Sequence, residues 1–287
     1  MNLPHPDAAT VSALIAGAAA VEIMPRFRHL AEGEIRAKSA PDDLVTIADE
    51  AMERRLSAEL RQLLPGSVVI GEEAAAADPS LHELISGAAP VWVVDPLDGT
   101  SSFAAGRPAF GVIVALVARG ETLMGWIHNP NTGETVAAER GSGAWLGETK
   151  LAVTVAPPVA ALRGPLATKF FPEPVRERLV QRRSFSRGHR QSHAAGDYMQ
   201  LVMGSLDFAL YQRTLPWDHA AGVLIHAEAG GYCARLDGTP YRPEYREGGL
   251  LAAPDRSTWD YLHAVLFGPA QGIPGFGPPG GPGGAPL

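Results

Sequence analysis

The most informative segment of the chain is Trp92–Phe103, which reads WVVDPLDGTSSF. The apolar run Val91–Val94 predicts a short buried strand that ends in Asp95. The following proline has a fixed φ angle and the glycine permits a tight turn, so we expect a short helix to begin at Thr100. Two carboxylates on a rigid turn, Asp95 and Asp98, followed by hydroxyls and backbone N–H groups, suit a hard cation together with a phosphate. Taken alone, these residues also fit an Asx-type turn after a strand.

The spacing of the two acids excludes two other motifs. Phosphatases with an aspartyl nucleophile have one residue between the acids of a DxDGT motif, whereas two residues separate Asp95 from Asp98. An EF-hand loop needs a glycine five residues after its first acid and a glutamate at its twelfth position. Those places hold Thr100 and Gly106. The turn therefore needs partners from elsewhere in the chain.

Composition limits the class of protein. The chain has 287 residues, enough for one large or two smaller domains, and 46% of them are hydrophobic, so a sizeable core can form. The net charge of −7 argues against a nucleic-acid-binding surface and is compatible with acids that divalent cations hold together. Cys233 is the one cysteine, so we expect no internal disulfide.

An apolar run lies near the N-terminus. Val11–Met24 is rich in alanine and aliphatic residues, but Asp7 precedes it, Glu22 interrupts it and no basic residue leads it. A signal peptide begins with basic residues, and a membrane span needs about 20 apolar residues. We therefore expect no membrane association and a cytoplasmic protein.

Several active-site patterns are missing from the sequence. It contains no GxSxG, no HExxH, no CxxC and no Walker loop, and Gly141–Gly147 misses the dinucleotide fingerprint by one residue. The nine histidines show no metal-binding spacing. We interpret each histidine as a structural or surface residue.

Periodicity predicts an α+β N-terminal half, in which helices precede antiparallel strands. We expect a first helix over residues 8–30 and a polar loop over 26–40. Pro41-Asp42 opens a second helix, and Pro65-Gly66 ends it. Turn residues separate the expected strands, which are 67–70, 91–94, 110–117, 121–128, 134–139 and 143–146.

The C-terminal half has the alternating pattern of an α/β structure. We expect strands at 166–169, 206–211 and 249–253, and helices at 173–182, 192–203, 216–229 and 257–266. Fourteen of the twenty residues in 268–287 are glycine or proline, so this tail is expected to be disordered. The predicted division is a domain over 1–155, a domain over 156–267 and the tail.

Three further segments of the chain make the functional interpretation of the turn at Asp95–Thr100 specific. They are Asp43–Asp49 (DLVTIAD), Gly71–Ala74 (GEEA) and Trp217–Gly222 (WDHAAG), the last running on to Glu228–Gly231. In this order and spacing, the four motifs resemble the inositol monophosphatase family of metal-dependent, lithium-sensitive phosphatases, over roughly residues 10–267. The resemblance implies a layered α+β sugar-phosphatase fold, with the metal site between an antiparallel N-terminal half and an α/β C-terminal half.

The resemblance also implies a set of magnesium ligands. Glu72, Asp95 and the carbonyl of Leu97 would hold a first Mg²⁺, and Asp95, Asp98 and Asp218 a second. Glu72 is assigned to catalysis as well, with a weaker third ion near it. Magnesium prefers oxygen ligands and keeps several waters, so a few carboxylates suffice. Without the family, Asp218 also fits a helix start, where an acid favours the helix dipole.

The remaining catalytic assignments rest on the same matched positions. Thr100 would orient the attacking water, with Asp49 accepting from its hydroxyl, and the N–H groups of Gly99 and Thr100 would bind phosphate oxygens. Glu73 matches an acid behind the ligands, and Lys38 matches a lysine of a mobile loop near the metals. Without the family, Asp49 would be an ordinary solvated helix acid.

The match weakens at the residues that contact the substrate. Asp98 and the small pair Ala194-Ala195 keep the pattern of the inositol-specific members, but Tyr211 stands where they have an acid; Asp218 is also assigned to substrate binding. A tyrosine hydroxyl can hydrogen-bond a sugar but supplies no carboxylate at neutral pH. The basic run over 182–190 is a solvated face, a subunit contact or a site for a second anionic group on the substrate.

Several functions therefore stay open. The leading hypothesis is a magnesium-dependent phosphomonoesterase that acts on inositol monophosphate or a similar phosphorylated metabolite. Its alternatives are a phosphatase for fructose 1,6-bisphosphate, a nucleotide bisphosphate or histidinol phosphate, and a non-catalytic regulatory relative. We expect a homodimer that binds a small phosphorylated molecule, with no nucleic-acid partner.

Overall fold

The computed structural model describes residues 5–38, 40, 43–158, 161–181 and 193–268. Three expectations lie outside these ranges: the helix start at Pro41-Asp42, the basic run over 182–190 and the tail after Gly268. The α-helices of the described residues are α1 (Ala8–Glu22), α2 (Ile47–Leu63), α3 (Glu72–Ala77), α4 (Thr100–Ala104), α5 (Glu173–Gln181), α6 (Ala194–Val202), α7 (Pro216–Glu228) and α8 (Arg256–Phe267). The strands are β1 (Ile35–Ala37), β2 (Leu44–Thr46), β3 (Val68–Gly71), β4 (Val91–Asp98), β5 (Gly111–Ala118), β6 (Glu121–Asn129), β7 (Glu134–Glu139), β8 (Gly143–Leu146), β9 (Thr149–Leu151), β10 (Ala209–Tyr211), β11 (Tyr232–Arg235) and β12 (Leu250–Ala253).

The largest sheet of the described chain has seven strands in the order β3-β4-β5-β6-β7-β8-β9. β3 and β4 are parallel, and the other neighbouring pairs are antiparallel. β7 and β8 have the predicted bounds, whereas β4 continues past Val94 to Asp98. The sequence analysis misses β9, a three-residue strand at the sheet edge.

The second helix begins later than predicted, because Leu44–Thr46 is a strand that pairs with Ile35–Ala37. Thr46 then caps the helix, since its Oγ1 accepts from the N–H of Ala48 at 3.1 Å. The prediction of a loop over 26–40 is also wrong, because this segment contains strand β1 and the 3₁₀ turn that precedes the strand.

The first helix ends at Glu22, earlier than predicted, because the chain continues into a 3₁₀ turn that contains Pro25. Proline has no N–H to donate to an α-helical hydrogen bond. By length and composition alone, the helical stretch Ala8–Arg26 is apolar enough to cross a membrane. One such helix near an N-terminus is weak evidence for a membrane. Here its Val11 and Ile15 are fully buried in the core shared with α2 and the large sheet.

The second half forms a three-stranded antiparallel sheet in the order β10-β12-β11, with α7 between β10 and β11 in sequence. The sequence analysis misses β11, and the predicted strand over 166–169 is wrong. Only Leu166 forms a bridge there, with Leu210. Pro165 has no N–H to donate, so the pairing does not extend into a ladder.

The core lies on both faces of the large sheet. Trp92 and Val94 of β4 pack with α1 and α2 on one face, and Val91 and Val93 pack with α6 and α7 on the other. Successive side chains of a strand point to opposite faces, so one strand serves both layers. A third cluster joins the small sheet to α5 and α8. The predicted layered α+β fold is confirmed, whereas the division at residue 155 stays a prediction.

Helices α6 and α7 approach each other closely at Gly222. A Cβ on this residue would lie 2.1 Å from the ring of Tyr198, which is fully buried. Glycine therefore sets the distance between the two helices that cover one face of the sheet.

We expect Gly222→Ala to lower the free energy of unfolding by about 1–3 kcal/mol, because the added methyl group must displace a buried ring. Gly17→Ala is the matched control: Gly17 is exposed in α1, with nothing within 4 Å of an added Cβ. That variant should gain up to about 1 kcal/mol from helix propensity. Urea unfolding followed by circular dichroism compares them, and equal stabilities would contradict the packing argument.

Candidate active site

A bulge at the end of β4 positions two acids. The register between β4 and β5 shifts between Asp95 and Asp98, and the N–H of Leu97 donates to Asp95 Oδ1 at 3.0 Å. Gly99 follows with a φ of +93°, and a Cβ there would lie 2.6 Å from a backbone carbonyl oxygen. Glycine is therefore required before α4 begins at Thr100. The predicted turn and helix start are confirmed.

Three acids meet at this turn. Asp95, Asp98 and Asp218 each offer a carboxylate oxygen, and these oxygens lie within 4.8 Å of one another. Asp218 comes from the first turn of α7, so packing of α7 on the sheet brings it to β4. Burial, followed by repulsion from Glu72, Asp98 and Asp218, raises the pKa of Asp95 well above its ordinary value. An all-oxygen group whose charges repel one another in this way fits a divalent cation such as Mg²⁺.

Glu72 lies outside that three-acid group and has a cationic partner. Lys38 Nζ lies 2.7 Å from Glu72 Oε1 and 2.9 Å from Glu73 Oε1. Burial lowers the pKa of Lys38, but attraction to Glu72 and then Glu73 outweighs it, so the lysine pKa is raised. Burial and the charge of Glu72 raise the pKa of Glu73 to about 7. The structure thus brings these predicted residues together next to the three acids.

Glu53 is a supporting residue that the sequence analysis misses. Its carboxylate accepts from the N–H groups of Glu73 and Ala74 at 2.8 and 2.9 Å, and so caps α3 from α2. A Cβ on Gly71 would lie 2.1 Å from Glu53, so the glycine makes room for this carboxylate. The spacing in the sequence could have indicated Glu53, because it lies four residues after Asp49, on the same helix face.

Asp49 is buried and lies between two threonines. Its Oδ2 accepts from the N–H and Oγ1 of Thr46 at 2.8 and 2.6 Å. Thr100 Oγ1 lies 2.9 Å from Asp49 Oδ1 and 2.9 Å from the carbonyl oxygen of Leu97. Burial raises the pKa of Asp49 to about 6, although these hydrogen bonds oppose the shift. The predicted pair therefore lies within hydrogen-bond distance, and Asp49 is not a solvated helix acid.

The N-terminus of α6 contacts Asp98, the second acid of the turn. The N–H of Ala195 donates to Asp98 Oδ2 at 2.5 Å, and His193 Nδ1 lies 3.2 Å from the same oxygen. Ala195 is buried against β5, where a Cβ on Gly111 would lie 2.7 Å from it. The small pair therefore allows close approach of α6 to the sheet, and Ala194 is also buried. His193 is a site residue that the sequence analysis reads as structural.

Tyr211 makes its contacts inside the protein. Its hydroxyl donates to Asp197 Oδ2 at 3.2 Å, and its ring stacks on Tyr198 and meets the edge of His219. Asp197 is fully buried on α6. The sequence analysis misses this carboxylate, because its partner lies on another element. The role of Tyr211 in binding substrate stays a prediction.

A cavity of about 690 Å³ lies beside the acids. Residues that line it include Lys38, Glu72, Glu73, Arg213 and Trp217. It is large enough for a small phosphorylated metabolite, and pockets of this size are typical ligand sites.

Comparison with known proteins identifies relatives over nearly the whole chain. The family model described as "Inositol monophosphatase family" matches residues 5–268. An inositol-1-monophosphatase from Bacillus subtilis is 30% identical over 239 residues, covering 80% of this chain and 88% of the relative. A fructose-1,6-bisphosphatase/inositol-1-monophosphatase from Thermotoga maritima is 30% identical over 205 residues, covering 71% and 76%.

A solved structure gives the same result for the fold. The extragenic suppressor protein suhB from Bartonella henselae superposes with a TM-score of 0.73 at 26% identity, covering 92% of this chain and 98% of its own. The fold predicted from the motifs is therefore found in a solved protein over nearly its whole length.

We expect Mg²⁺ to raise the melting temperature of the protein, because an ion that binds only the folded chain stabilises it and relieves repulsion among the acids. Asp95→Asn should lose most of this increase, and its melting temperature in chelator should be equal to or above that of the wild type. Differential scanning fluorimetry with and without Mg²⁺ measures both effects.

The control for this measurement is Glu121→Gln, which neutralises an exposed carboxylate at the start of β6, outside the cluster. It should keep the full Mg²⁺-dependent increase. An equal increase in Asp95→Asn would place the stabilising ion elsewhere.

Proposed function

This chain belongs to the inositol monophosphatase family, and we therefore propose that it is a magnesium-dependent phosphomonoesterase. Its substrate would be inositol monophosphate or a similar small sugar or metabolite phosphate, hydrolysed by water without a covalent intermediate. The observation that supports the proposal is the meeting of three acids with the Thr100–Asp49 pair at the end of β4. We further propose a cytoplasmic homodimer with no nucleic-acid partner.

The acids would hold the metal. Glu72, Asp95 and the carbonyl of Leu97 are the proposed ligands of one Mg²⁺, and Asp95, Asp98 and Asp218 of another, with a weaker third ion near Glu72. When bound, magnesium acidifies a coordinated water and stabilises negative charge on the leaving oxygen. Lys38 would balance the charge of Glu72 and Glu73 at 2.7 and 2.9 Å until the ions bind.

Thr100 and Asp49 would orient the attacking water. A threonine hydroxyl has one proton to donate and two lone pairs to accept with. Donation to Asp49 Oδ1 at 2.9 Å leaves the Thr100 oxygen free to accept from a water. Thr46 holds the other carboxylate oxygen, so Asp49 cannot rotate away. This arrangement supports a role for the pair in positioning water for proton transfer.

Backbone groups would bind the phosphate. The first N–H groups of a helix have no partner within the helix and attract anions. The left-handed turn at Gly99 presents the N–H groups of Gly99 and Thr100 at the start of α4, next to Asp98. We assign the phosphate oxygens to these two groups.

Substrate contacts would come from Asp98, Asp218, Ala194 and Tyr211. Asp98 is oriented by the Ala195 N–H, which donates to its Oδ2, so its other carboxylate oxygen would be the one to meet the metal and a sugar hydroxyl. The alternatives from the same family are fructose 1,6-bisphosphate, a nucleotide bisphosphate or histidinol phosphate. The non-catalytic alternative is a regulatory protein, which would release no phosphate from any ester.

The proposed activity is tested by phosphate release from a panel of phosphate esters, with Mg²⁺ and with chelator. We expect release from at least one small phosphomonoester that depends on Mg²⁺, and loss of turnover in Asp95→Asn, because that carboxylate is shared between the proposed ions. Glu121→Gln serves again as the control. No release from any ester by the wild type would favour the regulatory alternative.

A double-mutant cycle tests the Thr100–Asp49 pair. Thr100→Ala should lower kcat by roughly 10²–10⁴-fold and keep the Mg²⁺-dependent stabilisation, because it removes a hydroxyl and no ligand. Asp49→Asn should give a loss of the same kind, and the double variant should lose little more than the worse single variant. Thr100→Ser keeps the hydroxyl and is the matched control. Fully additive losses would show that the two residues act separately.

A further inference from the structure

The loop over 212–215 connects the candidate active site to a second cavity. It joins β10 to α7, the helix that carries Asp218. Its Arg213 and Leu215 line the cavity beside the acids and also line a neighbouring cavity of about 680 Å³. A molecule in the cavity beside Glu72 and Glu73 can therefore extend past Arg213 into the second cavity.

Hydrogen bonds of Thr214 hold the backbone before α7 against the backbone at 245–246, beside this second cavity. The N–H of Thr214 donates to the carbonyl of Arg246 at 3.0 Å, and its Oγ1 donates to the carbonyl of Tyr245 at 2.9 Å. Thr214 is fully buried, so these bonds are protected from water. They place Arg213, the neighbour of Thr214, next to Arg246 in space.

Arg213 is also positioned by its own contacts. Its guanidinium carbon lies 4.8 Å from the centre of the Phe170 ring, a cation–π contact. Its carbonyl oxygen lies 3.1 Å from His219 Nε2, which must donate because a carbonyl can only accept. The arginine is therefore oriented before any ligand binds, and this reduces the entropy that binding would cost.

Two other charged residues that line the second cavity, Glu244 and Arg235, already have partners. Glu244 pairs with Arg242 at 3.0 Å, and Arg235 pairs with Asp237 at 2.8 Å.

The two exposed arginines differ from these pairs. Within the part of the chain that the structure describes, neither Arg213 nor Arg246 belongs to an ion pair, and Glu247 is the one other charged residue that lines the cavity without a pair. The cavity therefore has an excess of positive charge. Guanidinium groups bind phosphate through two parallel hydrogen bonds, and a phosphate has enough oxygens to accept from two arginines at once.

We infer that Arg213 and Arg246 form a subsite for a second phosphate of the substrate, so that the enzyme prefers bisphosphates whose other phosphate lies at the acids. This inference rests on the proposed phosphatase function. It assigns substrate choice to the loop before α7, separate from the residues that carry out hydrolysis.

The test compares matched pairs of substrates that differ by one phosphate: myo-inositol 1-phosphate with inositol 1,4-bisphosphate, and fructose 1-phosphate with fructose 1,6-bisphosphate. The measured quantity is the ratio of kcat/KM for the bisphosphate to that for the monophosphate. Effects of a variant on the metal site cancel in this ratio. The variants are Arg213→Gln, Arg213→Lys and Arg246→Gln, with Arg54→Gln as the control, since Arg54 is exposed on α2 and lines neither cavity.

In at least one pair we expect the wild type to prefer the bisphosphate and Arg213→Gln to lower the ratio roughly 10–100-fold, the range for a hydrogen bond to a charged group. Arg246→Gln should lower it less, Arg213→Lys should restore part of it, and Arg54→Gln should leave it unchanged. Hydrolysis of the monophosphates with no preference in either pair, or a preference that survives Arg213→Gln, overturns the subsite and leaves the phosphatase function intact. Hydrolysis of neither class overturns both.

Discussion

Mutual repulsion among three closely spaced carboxylates limits how this fold can be built. Asp95 is almost fully buried, and Asp98 and Asp218 lie close enough for one cation to contact all three. Removing charge from water is costly unless an opposite charge compensates for it. The fold must therefore hold these side chains rigidly while it leaves room for a compensating ion.

The fold meets this constraint by building the site from elements of both halves of the chain. A single strand, β4, contributes to the core on both of its faces, so its bulged end is supported from two sides. Helix α2 supplies Asp49 and Glu53, which fix Thr100 and the start of α3. Helix α7 contributes Asp218 from the opposite layer. Displacement of one layer would separate the acids. Changes that destabilise the packing of the layers should therefore also impair the candidate active site.

The proposed subsite for a second phosphate lies on a different part of the structure from the acids. The loop before α7 follows strand β10 of the small sheet and is hydrogen-bonded to the segment at 245–246. Its shape therefore depends on the C-terminal half. Its neighbour Tyr211 hydrogen-bonds the buried Asp197. Changes in this loop can therefore alter which ester fits without moving the turn at Asp95–Thr100.

Local patterns in the sequence determined the strand–turn–helix around Asp95, the helices α2 and α7, the antiparallel strands and the family. These follow from apolar spacing, glycine and proline, which act over a few neighbouring residues. The strands β2 and β9 were not predicted, because a three-residue strand has too few side chains to show a period and forms only when a partner strand is present.

The sequence by itself thus determined which acids this protein carries and what kind of turn presents two of them. The packing of distant elements determined which further groups meet those acids: the Ala195 N–H and His193 at Asp98, and Arg213 beside the cavity. Asp98 and His193 are 95 residues apart. No local period connects such residues, because their contact depends on how α6 packs on the sheet and not on the preference of either segment.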